Sequence, residues 1–137
     1  MKDGDLADWI ARYERAWRTP GTEALAELFT PDAVYRMAPY DPPYEGLAAI
    51  AELWEREREG PDEVFTMTSE IVAVEGEVGV ARVEVLYGEP TSRQYRDLWI
   101  VTLDGEGRAV AFEEWPFSPA GDGAAPAPTG ERERAAG

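Results

Sequence analysis

At Pro61 the hydrophobic pattern of the chain changes period, and this change restricts the fold more than any other feature. Before it, apolar residues recur at helical spacing: Leu6, Trp9, Ile10, Tyr13 and Trp17, then Leu25, Leu28 and Phe29, then Leu47, Ile50, Ala51 and Trp54. This predicts three helices. The first stops before Thr19-Pro20-Gly21, the second is short with Thr22 as its N-cap, and the third spans 47–59 and ends at Gly60-Pro61. Pro31-Asp32 breaks the second helix, 33–38 reads as a short strand, and a proline-rich loop covers 39–46. Beyond Pro61 the pattern alternates, with strands expected at 63–75, 77–88, 93–104 and 108–117. Glu75-Gly76-Glu77 and 104–107 are tight-turn signals, so these strands form an antiparallel meander. Helices followed by a run of strands give an α+β fold, with the helices packed on one face of a curved sheet.

The 137 residues suffice for one domain with a real core and are too few for two ordinary ones. A tail from Ser118, rich in Ala, Gly and Pro and ending Glu131-Arg132-Glu133-Arg134, reads as disordered, which puts the domain at 1–117 and the tail at 118–137. There is no membrane-length apolar run and no apolar core of a signal peptide, so cytoplasmic localisation is expected. Cysteine and histidine are both absent. That removes disulfides, Cys/His zinc sites and histidine-activated nucleophiles, and no metal or cofactor is expected. Proton transfer is left to Asp, Glu, Tyr, Lys or arginine-assisted water. A net charge of −15 argues against nucleic acid and anionic membrane as partners.

The last two strands mark a site. Closing the turn so that residue 104 pairs with 107 sets Trp99 opposite Phe112 and Asp97 opposite Glu114, on one face with Tyr95, Val101 and Val110. Two adjacent carboxylates on an otherwise apolar, aromatic face belong to a ligand pocket more readily than to an inert core. On the opposite face Trp115 joins Leu98, Ile100, Ala109 and Ala111, an apolar outer surface that suggests a homodimer interface.

The order of elements, together with Leu28-Phe29-Thr30-Pro31-Asp32-Ala33-Val34-Tyr35, Tyr44-Glu45-Gly46-Leu47-Ala48-Ala49-Ile50 and the hairpin ending Phe112-Glu113-Glu114-Trp115, resembles the nuclear transport factor 2-like, SnoaL-like superfamily. The resemblance covers about residues 5–117. It implies a cone-shaped curved antiparallel sheet packed on three N-terminal helices (a cystatin-like α+β barrel), a conical pocket and homodimers. It implies no single activity, because the fold hosts isomerases, cyclases, epoxide hydrolases, binding proteins and association modules.

Against the ketosteroid isomerase branch, Tyr13 matches the phenolic donor of the first helix, but Met37 falls where the carboxylate base belongs and Trp99 near the acid donor. A thioether accepts no proton, so this branch is disfavoured. The limonene epoxide hydrolase branch fits better: Arg82-Val83-Glu84 stands where that family has Arg-x-Asp, Glu114 where it has its last aspartate, and Tyr35 at its water-holding tyrosine. With Arg82 and Glu84 facing inward, Arg82 would bridge Glu84 and Glu114. The competing arrangement puts Arg82, Glu84, Arg96 and Glu113 on the outer face as a charge ladder and turns Val83, Val85 and Tyr87 inward. A one-residue slip at the loop 88–92 interchanges the two.

The sequence thus leads to a small-molecule pocket protein without cofactor. As an enzyme it would run acid/base chemistry of the epoxide hydrolase, cyclase or dehydratase type on a small apolar substrate, with Glu114, Asp97, Glu84 and Arg82 as catalytic candidates. Tyr13, Tyr35, Met37, Trp54, Tyr95, Trp99 and Phe112 are the ligand-contact candidates. The alternative is a non-catalytic ligand-binding or dimerisation module in which the same residues form a buried polar network.

Overall fold

The computed structural model describes residues 1–58 and 63–119. Its elements are α1 (Asp3–Trp17), α2 (Leu25–Leu28), β1 (Phe29–Arg36), β2 (Tyr44–Glu45), α3 (Leu47–Glu57), β3 (Phe65–Glu75), β4 (Val78–Tyr87), β5 (Arg93–Leu103) and β6 (Ala109–Phe117). The end of the expected third helix at 59, the Gly60-Pro61 break and tail residues 120–137 lie outside the described residues. No helix among the described residues is long and apolar enough to cross a membrane.

The helices pack on one face of a curved, unclosed six-stranded sheet of order β2-β1-β6-β5-β4-β3. The expected meander is present, as β3 to β6 pair antiparallel in sequence. The sheet as a whole is mixed and not purely antiparallel, because β1 runs parallel to β6 and β2 adds a short antiparallel edge strand inside the proline-rich loop.

Local departures from the sequence reading have local causes. Phe29 opens β1 and does not close a helix. A residue preceding proline is pushed out of the helical region, so Thr30 must be extended and the helix ends before it. Pro31 then interrupts the ladder, and Phe29 pairs with Ala109 while Val34 pairs with Ala111. Thr22 is not an N-cap: α2 is a single turn starting after Ala24, and the Thr22 carbonyl accepts the Leu25 N–H at 3.1 Å.

The core lies between α1, α3 and the concave side of the sheet. Trp9 is fully buried at its centre, 5.1 Å from the Phe112 ring and 5.7 Å from Phe29, and its indole N–H donates to the Leu28 carbonyl at 2.9 Å. The α1 helix approaches β4 at Gly79, where a Cβ would stand 2.7 Å from Leu6 Cδ2, so a larger residue there would displace the buried Leu6 side chain.

Candidate functional site

Three strands and one helix bring the site together. In β5 and β6 the side chains of Asp97, Trp99, Val101, Phe112 and Glu114 point to the concave side, since Trp99, Val101 and Phe112 are fully buried there and Asp97 is 6% exposed. The face assignment of the hairpin therefore holds, but its register differs from the expected one. Trp99 pairs with Glu114, Val101 with Phe112 and Asp97 with Pro116. The loop is longer than a two-residue turn: Asp104 N–H bonds the Arg108 carbonyl at 2.8 Å, and the Asp104 carboxylate accepts the N–H groups of Glu106 and Arg108. An irregularity follows, with Leu103 opposite Ala109 and Thr102 opposite Ala111, which leaves Val110 out of the ladder and exposed. Loop and bulge together displace the pairing by an even number of residues, so the faces survive and the partners change. Val110 leaves the expected inner face, and Ala109 is buried instead of lying outside.

Asp97 and Glu114 consequently sit as diagonal neighbours on one face. Tyr35 of β1 donates its hydroxyl to Glu114 Oε1 at 2.5 Å, and the Tyr13 hydroxyl of α1 lies 3.3 Å from that of Tyr35. Trp99 Nε1 donates to Asp97 Oδ2 at 3.3 Å, while Asp97 Oδ1 is buried without a donor. The group beside it is the Glu114 carboxyl. Two ionised carboxylates offer only acceptors to one another; a proton on Asp97 lets it bond to Glu114 and removes the defect.

Electrostatics agree with this assignment. Burial raises the Asp97 carboxyl well above the usual aspartate range, and the Glu114 charge raises it further against the opposing Trp99 N–H. Burial also raises Glu114, opposed by the hydrogen bonds from Tyr35 and Asp97. The two titrate as a pair, Asp97 as acid and Glu114 as the member stabilised in its ionised form. Burial, with Glu114 next, likewise raises the Tyr13 and Tyr35 phenols, which remain donors. Glu114 keeps some accessible surface, while Asp97 beside it is buried.

The acid-rich pair has a consequence for stability. Its members bind protons more tightly when folded than when unfolded, so their contribution is fully present below about pH 4, the unfolded carboxyl range, and is lost as pH rises through the raised folded values. Asp97→Asn is therefore expected to gain stability relative to the wild type as pH goes from 5 to 8. Urea unfolding of both proteins at the two pH values measures this, and an unchanged difference would refute the shared proton.

Arg82 and Glu84 do not join the site. The inward residues of β4 are Gly79, Ala81, Val83 and Val85, and Arg82 and Glu84 alternate to the outer face. There Arg82 pairs with Glu70 at 3.4 Å and Arg96 with Glu84 at 3.1 Å. The β4–β5 register that matches Val83 to Asp97 decides this, and Arg82 bridges neither Glu84 nor Glu114. The outer-face ladder is the arrangement present.

Of the expected contact residues, Tyr13, Tyr35, Trp99 and Phe112 cluster with the pair, the Tyr13 ring lying 4.6 Å from Trp99 and 5.6 Å from Phe112. Trp54 stands edge-on to Tyr13 at 5.1 Å. Tyr95 is half-buried against Tyr87 at 6.0 Å, and Met37 packs partly buried beyond the end of β1. The sequence reading omitted Tyr87 from the site, yet its phenol is raised by burial, then by the charges of Glu63, Glu114 and Asp97. Its two-residue spacing from Val85 and Val83 was the available signal. An open depression on the outer side of α3, lined by Ala51, Glu52, Glu55 and Arg56, is separate from this cluster.

A family model described as SnoaL-like domain matches residues 10–135. Among solved structures, a protein from Sinorhizobium meliloti provisionally named a polyketide cyclase is similar at 25% identity, covering 83% of this chain and 99% of its own, with a TM-score of 0.62. A protein from Agrobacterium tumefaciens, provisionally named an isomerase of the SnoaL-like family, shares the fold at 17% identity, 82% and 97% coverage and a TM-score of 0.65. No curated protein matches the chain.

Proposed function

The chain belongs to the SnoaL-like domain family, and from that premise we propose that it is a cofactor-independent acid/base enzyme acting on a small, largely apolar carbonyl compound. One observation carries this reading: the buried Asp97 side chain stands diagonally beside Glu114, whose Oε1 accepts the Tyr35 hydroxyl. Glu114 takes a proton from the carbon next to the carbonyl. Once Glu114 holds that proton it no longer needs the Asp97 O–H, which turns to the carbonyl oxygen as negative charge develops on it. In a substrate with a β,γ double bond, return of the proton to the γ-carbon moves the double bond; in one with a second carbonyl, attack of the enolate carbon on it closes a ring and the new alkoxide takes the proton held by Glu114. Ring closure of that kind fits the cyclase name given to the Sinorhizobium meliloti protein.

The outward position of Arg82 and Glu84 removes the support for epoxide hydrolysis, which requires them beside Glu114. The test is solvent deuterium uptake at the α-carbon across a panel of cyclic ketones, followed by NMR. Uptake catalysed by the wild type and lost in Glu114→Gln supports the proposal. Binding of ketones with no exchange above the buffer rate would favour a ligand-binding module.

The convex face of β5 and β6 presents Leu98, Ile100, Ala111 and Trp115 partly exposed, with Val80 of β4 alongside. We infer that a second copy of the chain covers this face. Sedimentation velocity at micromolar concentration is expected to give a dimer for the wild type and a monomer for Trp115→Glu; a monomeric wild type refutes the interface.

A further inference from the structure

The supply of hydroxyl hydrogens decides which way the protons of the site point. A phenol carries one hydrogen, and Tyr35 commits its own to Glu114 Oε1 at 2.5 Å. In the 3.3 Å contact between the two phenols, Tyr13 is therefore the donor and the Tyr35 oxygen the acceptor. Tyr13 of α1, Tyr35 of β1 and Glu114 of β6 thus form a one-way chain that ends on a carboxylate. Asp97 of β5 stands at the other side of that carboxylate.

The surroundings of Tyr13 leave its hydroxyl this one task. The residue is 5% exposed, and its ring is enclosed by Trp9, Trp54, Trp99 and Phe112 at 5.6, 5.1, 4.6 and 5.6 Å. A phenylalanine would fill the same space without placing a polar atom in an aromatic enclosure. What the oxygen adds is a hydrogen bond on Tyr35, and such a bond polarises the accepting phenol and strengthens its own donation. The two lengths agree with that order. The short bond touches the carboxylate, and the long one lies a residue further from the charge.

The groups acting on Glu114 come from every layer around it. Burial, the largest influence, and the like charge of Glu57 on α3 oppose its ionisation, whereas Tyr35 and Asp97 favour it. The Tyr87 phenol of β4 lies in the field of both carboxyls, with the Arg93 guanidinium over its ring at 4.6 Å. Arg82 and Arg96 pair with carboxylates on the outer face. The hydrogen bonds that hold Glu114 as a carboxylate thus come from neutral donors, and Tyr13 reinforces one of them.

We propose that Tyr13 is a positioning residue of the carboxyl pair: by donating to Tyr35 it strengthens the Tyr35–Glu114 bond, keeps the shared proton on Asp97 and leaves Glu114 free to act as the base. Its significance for catalysis rests on the acid/base reading of the pair; the relay itself does not.

The test is a pH titration of protein carrying 13C-labelled glutamate carboxyls, followed by NMR. The Glu114 resonance is the one missing from Glu114→Gln. Tyr35→Phe is expected to raise the Glu114 midpoint by about one to two pH units, the loss of a charge-assisted hydrogen bond. Tyr13→Phe should raise it by about half a unit, since it weakens that bond and does not remove it. In a Tyr35→Phe background, Tyr13→Phe should have no further effect, because the relay is already cut. Replacement of Tyr13 by 3-fluorotyrosine, a more acidic phenol and a stronger donor, should lower the midpoint, a sign that damage to the fold does not produce. A midpoint unmoved by Tyr13→Phe overturns the proposal. So does a shift that persists undiminished without Tyr35, or a 3-fluorotyrosine shift in the same direction as that of phenylalanine.

The pH profile of ketone α-proton exchange separates the two readings. Where Glu114 is the base, the profile of Tyr13→Phe moves up with the NMR midpoint. The expected midpoint shifts in a protein that exchanges no ketone support the relay and defeat only the acid/base reading. Exchange that Glu114→Gln abolishes, with a midpoint and profile unchanged in Tyr13→Phe, defeats only the role of Tyr13.

Discussion

Glu114→Gln is expected to lower the rate of α-proton exchange by about two to four orders of magnitude, the range over which a positioned general base acts. Glutamine is nearly isosteric with glutamate, and its amide oxygen still accepts the Tyr35 hydroxyl that now lies 2.5 Å from Oε1. It cannot take up a proton at neutral pH, so the loss falls on turnover and not on placement. The fold should survive, because the change removes a partly buried charge whose ionisation burial opposes. Rates of deuterium uptake together with a thermal melt decide the matter. A well-folded Glu114→Gln protein that exchanges at the wild-type rate ends the assignment of Glu114 as base.

The largest stability effect is expected at Trp9. Its ring is fully buried and meets Tyr13, Phe29, Trp99 and Phe112 at centroid distances of 5.6, 5.7, 6.2 and 5.1 Å. Trp9→Ala removes that contact surface and leaves a cavity that four large rigid rings cannot collapse to fill, a cost of about 3–5 kcal/mol. It also strips the Leu28 carbonyl of its indole donor, at the point where α2 turns into β1. The midpoint of thermal unfolding should fall by about 10–20 °C for a domain of this size. Trp9→Phe keeps most of the ring and loses the hydrogen bond, so its cost should be about 1–3 kcal/mol. Denaturant titration of the two variants separates packing from hydrogen bonding; equal costs would mean that the indole N–H, and not the ring volume, dominates at this position.

Much of this architecture was legible before any coordinates. Leu6, Trp9, Ile10 and Tyr13 occupy the buried face of α1 as their spacing requires, and β3 to β6 pair as the turn signals at 75–77 and 104–107 indicate. Strand alternation placed Asp97, Trp99, Phe112 and Glu114 on one face, and that survived a changed register because the displacement was even. Where the reading failed, it failed on quantities that no local pattern encodes. A three-residue loop with an adjacent bulge replaced the two-residue turn, which moved Val110 out of the ladder. Both faces of β4 are chemically acceptable as an interior, one through Val83 and Val85, the other through an ion-pair cluster, so alternation alone left Arg82 and Glu84 undecided.

The sequence by itself determined the α+β class, the run of the helices and the meander, and the side of the hairpin that carries two carboxyls among aromatics. Those follow from periodicity and parity, which are local properties of the chain. The tertiary structure decided which groups meet: that Arg82 faces away, that Tyr13 and Tyr35 join across 22 residues to reach Glu114, and that Trp54 alone among the tryptophans lacks an acceptor. Proton affinity and hydrogen-bond satisfaction depend on what surrounds a group in space, and only the packing of α1, β1, β5 and β6 against one another supplies those surroundings.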